Sequence, residues 1–167
     1  MVSTIVEFER LWSYEVEATQ KMMKHLTSAS LAQPVDAQSR TLGRIAWHIV
    51  LSIPEMMTRI GFSLGGPAPD APVPATAKEI FAAYNTVALS LLDQIKKSWT
   101  DETLKVKDDM YGEQWARGFT LQSLVLHQTH HRGQMTVLMR QAGLDVPGVY
   151  GPARQEWAAY GMEPPAL

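Results

Sequence analysis

The sequence predicts an all-α protein: a four-helix bundle with a long crossover between helices two and three and a short C-terminal helix. Three observations point there. Four long segments place apolar residues at helical spacing, each opens at a threonine able to cap it, and a Pro/Gly-rich stretch separates the second from the third. With 167 residues and 46% hydrophobic content, the chain is read as one domain spanning 1–167 with a sizeable core.

The first helix opens with a capping box, Thr4 to Glu7, in which the threonine caps an amide and the glutamate reaches back. Ile5, Phe8, Trp12, Thr19, Met22 and Leu26 then share one face. The second starts after Thr41 and reads "LGRIAWHIVLSIPEMMTRIG"; Pro54 is expected to kink or restart it, because proline lacks the amide and collides with the preceding turn. Next comes "SLGGPAPDAPVPA", an extended crossover. Its roughly 13 residues can span ~40 Å, enough to run back along a helix of about 20 residues. Helices two and three can therefore be parallel, as in bundles with a long crossover. The third helix opens with a second capping box, Thr76 to Glu79. The segment 101–118 is also long enough to return along a helix, so topology stays open; "LKVKDDMYGEQWARG" within it can hold a small hairpin. The fourth helix is placed after Thr120, "LQSLVLHQTHHRGQMTVLMRQAG", with Gly143 as its terminating residue. "ARQEWAAYG" forms the short last helix, and the methionines at helical spacing are core.

Composition removes several functions. Net charge is -2, and no basic stripe or aromatic-basic motif suits nucleic acid. The longest apolar stretch, "IAWHIVLSIPEMM", is interrupted by His48, Pro54 and Glu55 and is too short to span a bilayer. "MVSTIVEFERLW" carries charges where a signal peptide needs an apolar run, which favours the cytoplasm. The absence of cysteine leaves no disulfide, thiolate ligand or cysteine nucleophile, so any metal must rely on histidine and carboxylate.

Three of the five histidines fall within "HQTHHRGQM". His127 and His131 lie about 40° apart on the helical wheel and one turn apart along the axis. Leu124, Met135 and Leu138 share that side, so the pair points inward. His130 sits roughly 100° from His131 and cannot easily share one ion with it. An H-x-x-x-H pair on an apolar face is the usual way for a helix to offer two imidazoles to a metal. Two hold an ion weakly, and His48, mid-helix beside Trp47, is the natural third. His25, among Lys21 and Lys24, reads instead as a C-terminal dipole partner. From the residues alone, a metal site and a set of hydrogen-bonded core histidines both stand.

"TLGRIAWHIV", "HQTHHRGQM" and "RQAGLDVPGVYGP" together resemble the DinB-like (damage-inducible) superfamily of metal-binding four-helix bundles, over nearly the whole chain. The resemblance implies an open triad of His48, His127 and His131, with His130 on a non-ligating position. It implies a divalent ion, zinc or nickel, and often a homodimer. Its characterised enzymes are transferases and isomerases that use low-molecular-weight thiols such as bacillithiol or mycothiol.

The expected function is thus a metal-dependent enzyme transferring a low-molecular-weight thiol co-substrate to an electrophilic small molecule. Alternatives are a non-catalytic metal- or ligand-binding module and a metal-dependent small-molecule hydrolase. No nucleic acid or membrane partner is expected. Gln128 stands where an H-E-x-x-H protease has its general base, which argues against that route. Glu15, a carboxylate on the first helix's apolar face, and Arg132 are candidate catalytic residues. Glu15 can also act as a base above the metal, support a ligand, or pair with an inward arginine such as Arg44 or Arg132. Gln134 also matches a family position; Trp115 and Arg117 are candidates for the mouth of a site.

Overall fold

The structure, a computed structural model, describes residues 1–166. Helix α1 spans Ile5–Lys24, α2 Leu42–Thr58, α3 Ala77–Ser98 and α4 Arg117–Gln141. A hairpin of β1 (Lys107–Met110) and β2 (Glu113–Ala116) precedes α4, pairing Lys107 with Ala116 and Met110 with Glu113. Short 3-10 turns cover Ala29–Ala32, Asp101–Lys105 and Arg154–Tyr160, so the short last helix is a 3-10 segment.

The long crossover is present: residues 63–75 hold no helix or strand. Polar contacts fix the directions. Glu9 pairs with Lys96 and Gln20 Nε2 donates to Asn85 Oδ1 at 2.8 Å, so α1 and α3 are antiparallel. The Leu42 amide donates to Gln33 O (2.8 Å), so α2 begins where α1 ends, and Ala77 N donates to Ser28 Oγ (3.4 Å) at the same end. At the opposite end Gln94 Nε2 reaches Ser63 O, 2.8 Å. Helices α2 and α3 therefore run parallel. Trp47 Nε1 donates to Ala71 O (2.8 Å), tying the crossover back to the first turns of α2.

The helix starts follow the sequence with two differences. Thr41 caps Arg44 N, and Thr76 with Glu79 forms the full capping box. At α1, Thr4 Oγ1 accepts from Glu7 N, but the Glu7 carboxylate turns to Ser3, whose amide and hydroxyl both donate at 2.8 Å; two donors win over the single Thr4 amide. Helix α4 begins at Arg117, earlier than placed from sequence, because β2 runs straight into it and Arg117 N is taken by Val106 O (2.9 Å). Pro54 does not restart α2, which continues through it. Ile53 and Met57 beside it are fully buried, and that anchoring offsets one missing ladder bond. Gly143, with φ of 72°, ends α4 as expected.

The core fills the space between all four helices. Trp12, Tyr84, Phe8, Met22, Ile53 and Leu91 are among its fully buried side chains. Trp12 Nε1 is satisfied by Ala88 O at 2.9 Å, so the largest core side chain leaves no orphaned donor. No described helix is long and apolar enough to cross a membrane.

Candidate metal centre

Helix α2 presents Arg44, His48, Leu51, Ser52 and Glu55 along one stripe, at the three- and four-residue spacing that stacks side chains over successive turns. Helix α4 faces it with Ser123, His127 and His131. His48, His127 and His131 converge, each offering one ring nitrogen, with those atoms all within 4.8 Å of one another. His48 Nε2 stands 3.2 Å from His127 Nε2, which stands 3.1 Å from His131 Nε2. Two nitrogens bound to one tetrahedral ion at about 2.05 Å would be separated by roughly 3.3 Å, so the spacing suits a shared ion.

Hydrogen counting supports the same fit. Gln134 Oε1 accepts from His131 Nδ1 at 2.7 Å, which places that ring's proton on Nδ1 and leaves Nε2 a bare lone pair. His127 Nε2 has two imidazole nitrogens in front of it and at most one proton to give. Nitrogen–nitrogen hydrogen bonding therefore cannot satisfy all three rings. Three inward Nε2 lone pairs are instead a complete donor set for a divalent ion. Gln134 orients the His131 ring through its other nitrogen, whereas His127 Nδ1 is buried without a partner.

The environment keeps the rings neutral. Burial, then the neighbouring His131 and His127, pushes His48 down to about 4. Burial, then His131 and His130, takes His127 to about 4 as well, and burial is the main cause of a lowered His131. At neutral pH all three lone pairs are free of protons.

A cavity of about 560 Å³ opens beside the triad, lined by His48 and His127 and walled by Met56, Tyr111 and Trp115. Trp115 thus lies where the sequence suggested. Arg117 does not line this cavity: it bonds to Asp108 at 2.8 and 3.1 Å and covers the Trp99 ring. Tyr111 was not anticipated. It occupies the hairpin turn at φ 63°, a conformation unusual outside glycine, next to Gly112 at φ 88°. From there its hydroxyl donates to Glu55 Oε2 (2.7 Å) and its ring lies under the Arg59 guanidinium, 4.2 Å away. Arg59 also donates to Glu55 Oε1 at 2.9 Å. The hairpin tip is so latched to α2 across the cavity.

Glu15 and Arg132 are brought together, but in a separate cluster. Arg132 Nη2 lies 2.6 Å from Glu15 Oε2, with both side chains 3% exposed. Thr19 Oγ1 accepts from Arg132 at 3.1 Å, while Thr129 (3.2 Å) and Tyr150 (2.5 Å) donate to the Glu15 carboxylate. Arg132, not Arg44, is thus the partner of Glu15, and neither side chain of the pair hydrogen-bonds to a triad histidine. Tyr150 arrives from the loop after α4, a partner that no local spacing could announce. His130 is exposed, and His25 caps α1 with Nδ1 on Lys21 O, 2.8 Å. Gln128 is buried and accepts from Tyr84 Oη (2.8 Å), so the position that carries the base in H-E-x-x-H faces α3.

Comparison with known proteins agrees with this architecture. A profile described as "DinB family" matches residues 1–165.

The chain belongs to the DinB family.

It is 45% identical over 167 residues, the full length of both chains, to "Uncharacterized protein YrdA" of Bacillus subtilis (strain 168). A crystal structure of a DinB-like protein from Bacillus cereus ATCC 10987 superposes with a TM-score of 0.87 at 46% identity, covering 90% of this chain and 100% of that one. The DinB-like protein YjoA of B. subtilis shares the fold, at a TM-score of 0.68 and 18% identity over 87% of this chain and 98% of its own. Family membership and the histidine cluster are compatible with a metal-binding protein.

Proposed function

We propose that this DinB-family protein is a metal-dependent enzyme that joins a low-molecular-weight thiol to an electrophilic small molecule, with His48, His127 and His131 holding zinc or nickel. The observation that supports it best is the convergence of three neutral imidazole nitrogens beside a cavity of about 560 Å³ that two of these histidines line. Three histidines are the donor number of catalytic rather than structural zinc sites. A divalent ion there supplies a Lewis acid that lowers the pKa of a thiol or water beside it towards neutrality.

The chain's own residues do the rest. Leu51, Met56, Tyr111 and Trp115 give the electrophile an apolar wall. Glu55 is held at both oxygens by Arg59 and Tyr111, so it is a fixed part of the cavity lining, and both the thiol proton and the electrophile's leaving group would pass to solvent as the sulfur–carbon bond forms. Burial, then Glu55, pushes the Tyr111 hydroxyl up to about 12, which keeps it the donor in that latch. No cysteine is available as a protein nucleophile, in keeping with an external thiol.

The test is to incubate metal-loaded protein with monochlorobimane or a chloro-nitroarene, offering bacillithiol, mycothiol, glutathione or no thiol. Metal-dependent conjugation with one thiol, lost in His131→Ala, is the expected result. Turnover by water alone would make the protein a hydrolase, and no turnover with any thiol would make it a binding module. A cytoplasmic homodimer completes the proposal; sedimentation of the untagged protein checks its mass.

A further inference from the structure

Arg44 stands out on the cavity wall. It lies four residues before His48 on the same face of α2, about 6 Å away along the axis. Its side chain is solvent-exposed at the cavity rim, and among the described residues it has no carboxylate within ion-pair distance and makes no hydrogen bond to a side chain or carbonyl. By contrast, the cavity's one described carboxylate, Glu55, is already occupied by Arg59 and Tyr111. The position also sets a cation against a helix dipole, as Arg117 does at the start of α4, where Asp108 pairs it. Helices α1 and α3 carry Glu7 and Glu79 in their first turns, where the helix dipole favours negative charge. Helix α2 has no acid there and carries Arg44 instead, adding a cation to the positive end of the dipole. A charge placed against the dipole, unpaired and facing a cavity suits an anion supplied from outside.

We propose that Arg44 is a specificity-determining residue that binds the carboxylate of the cavity's ligand, while the ligand's reactive group lies one helical turn away at the triad. The ligand class is a small carboxylic acid with its second functional group a few bonds from the carboxylate. Arginine suits this role because its planar fork meets a carboxylate with two parallel hydrogen bonds. The inference rests on the metal-site reading for the neighbouring group, but not on turnover.

The experiment uses cobalt-loaded protein, whose visible absorption reports a thiol arriving beside the triad. It compares the affinities of 3-mercaptopropionate and its uncharged amide. Any cation nearby favours the carboxylate to some degree, so the decisive quantity is how the preference changes between variants. Wild type should prefer the carboxylate, and Arg44→Gln should reduce that preference roughly tenfold, the scale of a charged hydrogen bond at a partly exposed site. Arg44→Lys should lie between. Arg40→Gln is the control for nearby charge, since Arg40 lines the neighbouring groove with His131 and Gln134 and its field reaches all three rings; it should lower the preference clearly less than Arg44→Gln. Cobalt content should be equal in all four proteins, and thermal unfolding should show no loss on replacing Arg44, whose removal breaks no side-chain bond. A preference that survives Arg44→Gln, or falls equally in Arg40→Gln, would overturn the proposal. So would equal wild-type affinity for acid and amide. Absence of thiol transfer with the preference intact would count against the enzymatic reading and leave the anion site standing.

Discussion

Two polar clusters flank α4, anchored at adjacent residues, and they are built on opposite principles. Around Arg132 every charge is matched: Glu15 meets the guanidinium, and Thr19, Thr129 and Tyr150 take up further polar groups. Around His131 three nitrogens face one another with too few protons to satisfy them. The first cluster is complete within the chain and joins α1, α4 and the loop carrying Tyr150. The second is complete only with something added. A saturated polar cluster is complete within the chain; a convergent, unsaturated one of three histidines could hold a metal ion.

Breaking the saturated cluster should have the largest effect on stability. Removing one partner, as in Arg132→Met or Glu15→Leu, leaves a buried charge unpaired and should destabilise by about 3–5 kcal/mol. Urea unfolding of the metal-free protein measures this, and the double variant should recover much of the loss. The same protocol applied to His127→Ala should show a far smaller change. A similar loss there would erase the contrast between the clusters.

Metal removal should act on the histidine cluster alone. At a free ion concentration of 100 times Kd, binding adds about 2.7 kcal/mol to folding stability, so chelation should lower Tm in wild type and leave His48→Ala unmoved. Loss of the imidazole-orienting amide in Gln134→Leu should weaken metal affinity about 10–100-fold. His130→Ala, which removes an exposed ring, should leave affinity unchanged by the same chelator competition.

Acid separates the clusters in another way. His48 and His127 titrate near 4 in the folded chain and at an ordinary 6.5 when unfolded. The unfolded state therefore binds more protons between those values, and metal-free stability should fall as pH drops from about 6.5 towards 4. Above 6.5 these rings are neutral in both states and contribute no slope. The His48→Ala/His127→Ala double variant should flatten the curve in that window; an unchanged slope would mean that the rings are not held neutral. The smallest expected effect is at the latch. Tyr111→Phe removes one exposed hydrogen bond to Glu55, worth at most about 1 kcal/mol, and should show as faster amide exchange in the hairpin with Tm nearly unmoved.

What could be read from sequence was what helical periodicity makes local. The four-residue step between His127 and His131 settles their shared face, and the apolar run around His48 places it inside. The capping threonines and the crossover are equally local signals. Glu15 announced a partner, and two arginines were candidates; packing shows that only Arg132 is buried and reaches it, while Arg44 is exposed at the cavity. Tyr150, which is 135 residues from Glu15, depends on the path of the loop after α4. Tyr111 reaches Glu55 only because a two-residue turn accepts it at positive φ, which side-chain periodicity does not report.

Elemental analysis of protein purified without an affinity tag tests the central claim most directly. One zinc or nickel per chain is expected in wild type and in His130→Ala, with near-complete loss in each of His48→Ala, His127→Ala and His131→Ala. A wild-type protein that binds no ion after incubation with excess zinc or nickel, or triad variants that retain as much as His130→Ala, would contradict it.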